Sequence, residues 1–319
     1  MSIINTVAGS IDSSQLGLTL THEHFLMADS SMRFSFPDWI DYPAVVEQSA
    51  EEVRLAMNAG VRTIIDATPI NLGRDIHLLR DISARTGINI IASTGFYYQE
   101  RPWFRENNFS EDRMVDILAG EAENGMQGTN SRPGIIKCAT DEQGLTPMNE
   151  KLLRMAARLH KRTGLPIMTH ASVCNRAGLI QQRIFYDEGV ELSRVIIGHC
   201  DDTNDIGYIS EIIKNGSYAG LDRMGVDRIN PLDNRITVAE QLIKAGYGKK
   251  IVLSHDCNVM SDCGRVGGER GIRRGERDWN FRIIPEKVLP ELKKRGISDD
   301  DIDDTVRGNI RRFFEQRDA

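Results

Sequence analysis

Short apolar runs alternate along the chain with longer segments in which apolar and polar residues mix. The runs fall at residues 16–21, 62–67, 88–94, 134–139, 166–170, 194–199, 217–221 and 251–256. Each has the length and the β-branched character of a buried strand. Between them, segments such as 44–59, 152–162 and 236–245 space their apolar residues by three and four, the period of a helix buried along one face. Glycine stands at several joints, as in Ala59-Gly60-Val61, Thr86-Gly87-Ile88 and Thr163-Gly164-Leu165, where a left-handed residue ends a helix. Strands and helices alternating across short joints call for a parallel sheet. Eight such units in 319 residues fit a (β/α)8 TIM barrel better than an open doubly wound sheet.

No linker, low-complexity tract or shift of composition divides the chain, so one domain over residues 1–319 is expected. Two longer insertions, 28–42 (with Trp39) and 258–280, follow the first and eighth runs. Both leave the C-terminal ends of barrel strands, the end at which such a barrel carries its active site. Residues 298–314 read as a terminal helix that closes the fold.

The polar residues that end these runs carry the candidate chemistry. The first run ends in Thr21-His22-Glu23-His24, and residues two apart on a strand share a face. His22 and His24 then aim the same way from the strand's end, as half of a metal site. The fifth run ends at His170, the sixth at His199, and the eighth in Ser254-His255-Asp256. Only seven histidines exist, and chance would scatter them over helices and loops rather than close four separate strands with them. Alternation sends only one of His255 and Asp256 inward; Asp256 is expected as the ligand, with His255 supporting it. His77 and His160 lie in helical segments and read as surface or capping residues. Cys138, Cys200 and Cys257 each follow a candidate residue by one position, so alternation turns them towards the helices as small apolar side chains.

Lys137 lies inside an apolar run, Ile135-Ile136-Lys137-Cys138. A buried, unpaired ammonium is costly and cannot ligate a metal. Three arrangements remain open: a neutral amine of lowered pKa, a carbamate formed with carbon dioxide whose two oxygens bridge cations, or a salt bridge to an acidic neighbour such as Asp66.

Net charge of −6 gives no reason to expect nucleic acid as a partner, and no apolar run approaches membrane-spanning length. Five cysteines, without CxxC spacing, point to a reducing compartment. The N-terminus has neither a basic region nor an extended apolar segment. A cytoplasmic globular protein is expected.

The chain resembles the phosphotriesterase family of the amidohydrolase superfamily, and most of all its phosphotriesterase-like lactonases. The resemblance rests on Thr21-His22-Glu23-His24, Gly134-Ile135-Ile136-Lys137, Thr169-His170, Gly198-His199-Cys200-Asp201, Gly220-Leu221-Asp222-Arg223 and Ser254-His255-Asp256, spread in family order over nearly the whole length. It implies two divalent ions, zinc first among zinc, cobalt, manganese and iron. His22, His24 and Asp256 would hold the buried ion, His170 and His199 the more exposed one, with carboxylated Lys137 and a hydroxide bridging them. It also implies roles for Tyr97 and Arg223 beside the hydroxide, and a homodimer. The activity it implies is lactone opening (acyl homoserine lactones or other γ/δ-lactones), with phosphotriester hydrolysis as a side activity. In the mechanism this suggests, the hydroxide attacks and Asp256 relays the proton to the leaving alkoxide. The segment 265–277 departs from the apolar lid of acyl-homoserine-lactone members, carrying five arginines. It reads either as a lid for an anionic substrate or as a solvated loop or subunit contact. Phosphorylated or carboxylated sugar lactones, or phosphotriesters, are therefore the alternative main substrates; a binding protein without turnover is a third reading.

Overall fold

A computed structural model describes residues 2–99, 110–262, 271–272 and 279–316. The chain opens with an antiparallel hairpin of β1 (Ile3–Thr6) and β2 (Gly9–Asp12). Eight parallel strands then follow in spatial order as in sequence: β3 (Leu18–Met27), β4 (Val61–Asp66), β5 (Asn89–Gly95), β6 (Ile135–Thr140), β7 (Ile167–Ala171), β8 (Val195–Ile197), β9 (Tyr218–Leu221) and β10 (Ile251–Leu253). A further strand, β11 (Asn258–Ser261), pairs in parallel with β3. Just before it, the Asp256 N–H donates to the His22 carbonyl at 2.9 Å and the His24 N–H to the Cys257 carbonyl at 2.8 Å. These bonds join the end of the eighth unit to the first strand and close the TIM barrel, as the alternation of runs and helical segments predicts.

The helices form where the sequence carries both a start signal and an apolar stripe. The helix Pro147–Thr163 illustrates this: Thr146 caps it by accepting the Asn149 N–H, proline occupies its first turn, and Gly164 ends it at φ 69°. Its buried stripe of Leu152, Leu153, Ala156 and Leu159 faces the barrel. Loss of such a cap costs about 1 kcal/mol. His160 sits on the same buried side, its Nδ1 2.7 Å from the Leu165 carbonyl just past the helix end; it caps the helix as expected, from inside the protein rather than from its surface.

The barrel interior is divided along its axis. Ile65, Ile91, Ile135, Met168, Ile196 and Val252 form an apolar plug inside the barrel against Ile310 and Phe313 of the closing helix. Two residues further along β6 and β7 stand Lys137 and His170, on the same inward face as Ile135 and Met168. The apolar layer is therefore the floor of a polar chamber. Residues 298–314, expected as one closing helix, form a continuous helical stretch from Asp299 to Glu315.

Two expectations are corrected. The first strand does not end at the histidine pair: β3 continues to Met27, with irregular register against β4 between Leu20 and Glu23. His22 and His24 thus stand mid-strand. The sixth and eighth runs, conversely, stop short as strands. β8 ends at Ile197 and β10 at Leu253, and His199 (φ 61°) and Asp256 (φ 53°) both adopt the left-handed conformation that non-glycine residues seldom take. Strict alternation from inward-facing Ile196 would send His199 outward; the left-handed turn brings it back to the interior. The Gly198 backbone lies so close to its neighbours that a Cβ there would fall 2.3 Å from the Thr169 carbonyl oxygen. Only glycine fits before this histidine.

Candidate metal centre

Every residue singled out from the sequence as a ligand or catalytic group meets at the C-terminal mouth of the barrel. His22, His24, Tyr97, Lys137, His170, Arg223 and Asp256 line a cavity of about 640 Å³, and His199 lies against its wall beside His170. All of them except Tyr97 are less than a tenth exposed.

One carboxylate organises two of the imidazoles. Asp222 Oδ2 lies 2.7 Å from His22 Nδ1, and its Oδ1 lies 2.8 Å from His199 Nδ1 and accepts the His199 backbone N–H at 2.7 Å. Burial alone would raise the Asp222 pKa; the adjacent His199 and His22 rings outweigh it and hold the group ionised. The hydrogen-bond network thus assigns the ring protons to Nδ1 and turns both Nε2 lone pairs inward. His24 differs: Thr68 Oγ1, which can donate or accept, lies 2.8 Å from Nδ1, while the Asp256 carboxylate Oδ1 lies 3.1 Å from Nε2. His170 is reversed: Asp141 approaches Nε2 at 3.4 Å, while Nδ1 faces His199 Nε2 at 2.8 Å and the Tyr97 hydroxyl at 3.2 Å. Sequence reasoning assigned no role to Asp222, Asp141 or Thr68. Only Asp222 left a signal, since it directly precedes Arg223 in Gly220-Leu221-Asp222-Arg223.

The donor set fits divalent cations. One ligand atom from each of His22, His199 and Asp256 lies within 4.8 Å of the others. Once Asp222 and Asp141 have fixed the ring protons, His199 Nε2 and His170 Nδ1 present lone pairs to each other at 2.8 Å, an arrangement that a shared cation relieves. Imidazole with carboxylate suits zinc, cobalt, manganese or iron. Asp256 touches nearly everything: His24 at 3.1 Å, His22 at 3.6 Å, and Arg223 Nε, which donates to its Oδ2 at 2.8 Å. Burial opposes its charge, but Arg223 first, and then the His199, His22 and His24 rings, outweigh it, so the Asp256 pKa falls well below the carboxylate range.

Lys137 Nζ lies 2.7 Å from His22 Nε2. Burial brings its pKa down to about 8, so a substantial neutral fraction exists near neutral pH. Asp66, the acidic neighbour named from the sequence, does not pair with Lys137. Asp66 instead accepts the Phe25 N–H at 2.9 Å and the Thr68 N–H at 3.0 Å.

Glu23, between the two histidines, points away from the cavity as alternation requires. It accepts hydrogen bonds from the Ser254 hydroxyl at 2.7 Å and the Cys257 N–H at 2.9 Å, and holds His255 Nδ1 at 2.7 Å. His255 Nε2 accepts the Ile284 N–H at 3.1 Å, so this ring is consumed in closing the barrel and Asp256 alone faces the chamber. The cysteines take the packing role expected of them. Cys138 and Cys200 are 1% exposed, and burial lifts the Cys138 thiol to about 12 and Cys200 well above its ordinary value. A Cys200→Ala variant is accordingly expected to keep hydrolytic activity within about threefold of the wild type; loss of bound metal on that substitution would assign the thiol a role. The arginine-rich segment 265–277 lies outside the described residues except for Gly271 and Ile272.

The chamber also sets an acid limit on the metal-free protein. Burial, aided by Lys137 for His22 and by His199 for His170, pushes both rings down to about 3. In the unfolded chain they titrate near ~6.5. Between these values the unfolded chain binds more protons, so stability rises with pH across the window and is lost as pH falls through it. In equilibrium urea unfolding, the metal-free midpoint is expected to be lower at about pH 5 than at about pH 7.5. Equal midpoints would contradict the burial of these rings as neutral groups.

A closed barrel whose mouth gathers imidazoles, a carboxylate and a lysine defines the class: this is a metal-dependent ester hydrolase on a TIM barrel. The chain belongs to the phosphotriesterase family, whose sequence model matches residues 2–314. It is 39% identical to a phosphotriesterase homology protein of Mycobacterium tuberculosis, the alignment covering 99% of both chains. It is 38% identical to an aryldialkylphosphatase of Saccharolobus solfataricus, covering 96% of this chain and 97% of the relative. The solved structure of the phosphotriesterase from Mycobacterium tuberculosis superposes with a TM-score of 0.90 at 38% identity, covering 98% of each chain.

Proposed function

We propose that the protein opens lactone rings with two divalent ions, zinc being the first choice, and hydrolyses phosphotriesters as a weaker side activity. His22, His24 and Asp256 would hold the inner ion, and His170 and His199 the outer one. Lys137, as a carbamate, would bridge them, its depressed pKa supplying the neutral amine that captures carbon dioxide. Two such ions acidify a water held between them and polarise the ester carbonyl. The rest falls to the chain's own groups.

Tyr97 is the observation that carries the lactone reading. Its hydroxyl lies at the cavity wall 3.2 Å from His170 Nδ1, and burial raises its pKa well above the phenol value. It stays a neutral O–H donor, suited to the oxygen on which negative charge grows when a carbonyl is attacked. Asp256 Oδ2, oriented by Arg223, would take a proton and deliver it to the leaving alkoxide. Met27, Leu72 and Ile229 give the cavity apolar walls for the rest of the substrate. Arg228 in the same wall favours a second reading, an anionic lactone.

Turnover of three substrates separates these: an acyl homoserine lactone, a phosphorylated sugar lactone and a dialkyl aryl phosphate. The neutral lactone is expected to exceed the phosphotriester in kcat/KM by about 100-fold or more. A faster phosphorylated lactone would establish the second reading, and a faster phosphotriester would overturn both. A homodimer of single-domain chains in the cytoplasm completes the proposal.

A further inference from the structure

Arg235, in the first turn of the helix Leu232–Leu242, is fully buried, and it lies outside the cavity wall. Its Nη1 lies 2.7 Å from Asp201 Oδ2 and its Nη2 3.0 Å from Asp202 Oδ1. Its position is fixed further by Nε, which donates to the Asn230 carbonyl at 2.8 Å. Both carboxylates pass this anchoring on to Arg223. Asp201 accepts the backbone N–H groups of Asp222 at 3.1 Å and Arg223 at 3.3 Å, while Asp202 Oδ2 accepts Arg223 Nη1 at 2.6 Å. Arg223 Nε then reaches Asp256 Oδ2 at 2.8 Å.

The charges along this line alternate: two carboxylates, Asp201 and Asp202, stand between two guanidiniums, with Asp256 beyond. Remove Arg235 and one guanidinium must serve three buried carboxylates. The pair at Asp201 and Asp202 would then draw Arg223 away from Asp256, because a buried charge without a partner is the costlier arrangement. We propose that Arg235 is a positioning residue for hydrolysis: it neutralises Asp201 and Asp202 from behind, which leaves Arg223 Nε committed to Asp256. This rests on the proposed role of Asp256 as proton carrier. No atom of Arg235 touches the chamber, so its influence passes entirely through Arg223.

The test is a double-mutant cycle in the metal-loaded enzyme, using the best ester substrate and reading kcat, KM, metal content and thermal melting. Arg235→Met is expected to lower kcat roughly 10- to 100-fold with KM within about threefold and with the metal content unchanged. Arg235→Lys, which keeps the charge but cannot fork across both acids, is expected to fall between Arg235→Met and the wild type. In an Arg223→Met background, Arg235→Met should add less than about twofold, because its route to Asp256 is already cut. Equal losses in both backgrounds, or wild-type kcat in a folded Arg235→Met protein, overturn the inference. If Arg235→Met does not fold, Arg235→Lys decides: a kcat loss that vanishes in the Arg223→Met background supports the inference, and wild-type kcat or a loss that persists there overturns it. Asp256→Asn in the same assay keeps the two claims apart. Full activity there sinks the proton-carrier role, whereas loss there with additive Arg235 and Arg223 effects sinks only the Arg235 inference.

Discussion

Asp256→Ala is expected to reduce lactone hydrolysis by roughly 10⁴-fold, a loss of the size seen when a member of a catalytic unit is removed. The expectation follows from how many groups this one carboxylate holds. It is 3.1 Å from His24, 3.6 Å from His22, 3.9 Å from His199 and 2.8 Å from Arg223. Alanine removes a metal donor and a proton carrier together, and leaves the buried Arg223 facing three imidazoles. His22→Ala and His170→Ala are expected to act in the same direction, with Cys200→Ala as the inert control. Steady-state kinetics on metal-saturated protein checks this, with metal content measured alongside. Full activity in the Asp256 variant would refute the assignment of the whole site.

The second large effect is expected at Asp222, which never touches the cavity. Asp222→Asn replaces a charged acceptor that serves two imidazoles at once. An amide offers only one oxygen, so one of the two rings loses its acceptor and faces an N–H₂ group instead. Outer partners of this kind set ring orientation and ligand basicity, and their loss typically lowers metal affinity about 10- to 100-fold. Because His22 and His199 are assigned to different ions, both affinities should fall, and competition with a chelator at fixed pH measures them. Undiminished affinity for both ions would mean that the Asp222 bridge does not prepare the ligands.

The barrel was legible because its signals are local and repeated. Alternating runs, helical spacing and joint glycines each point to the same architecture, and β4 to β7 lie within a residue or so of the runs that predict them. The grouping of His22, Lys137, His170 and Asp256 followed from it, since strand ends of a barrel converge. What the pattern could not carry is the exception to alternation. His199 faces the chamber through a left-handed turn, and no two-residue period encodes a sign change in φ. The Asp201–Asp202–Arg235 network was missed for a different reason. An arginine in a helix's first turn reads as a solvated charge until the opposing carboxylates, more than 30 residues away in sequence, are seen beside it.

Side chains from separate strands are proposed to hold two cations jointly, with a modified lysine bridging them. A zinc-loaded crystal, with anomalous scattering and elemental analysis of the same protein, tests this most directly. Two ions per chain are expected about 3.5–4 Å apart, one among His22, His24 and Asp256 and one at His170 and His199, with a carboxylate on Lys137 Nζ between them. An unmodified Lys137 amine still packed against His22 Nε2, with no ion among those residues, would contradict it.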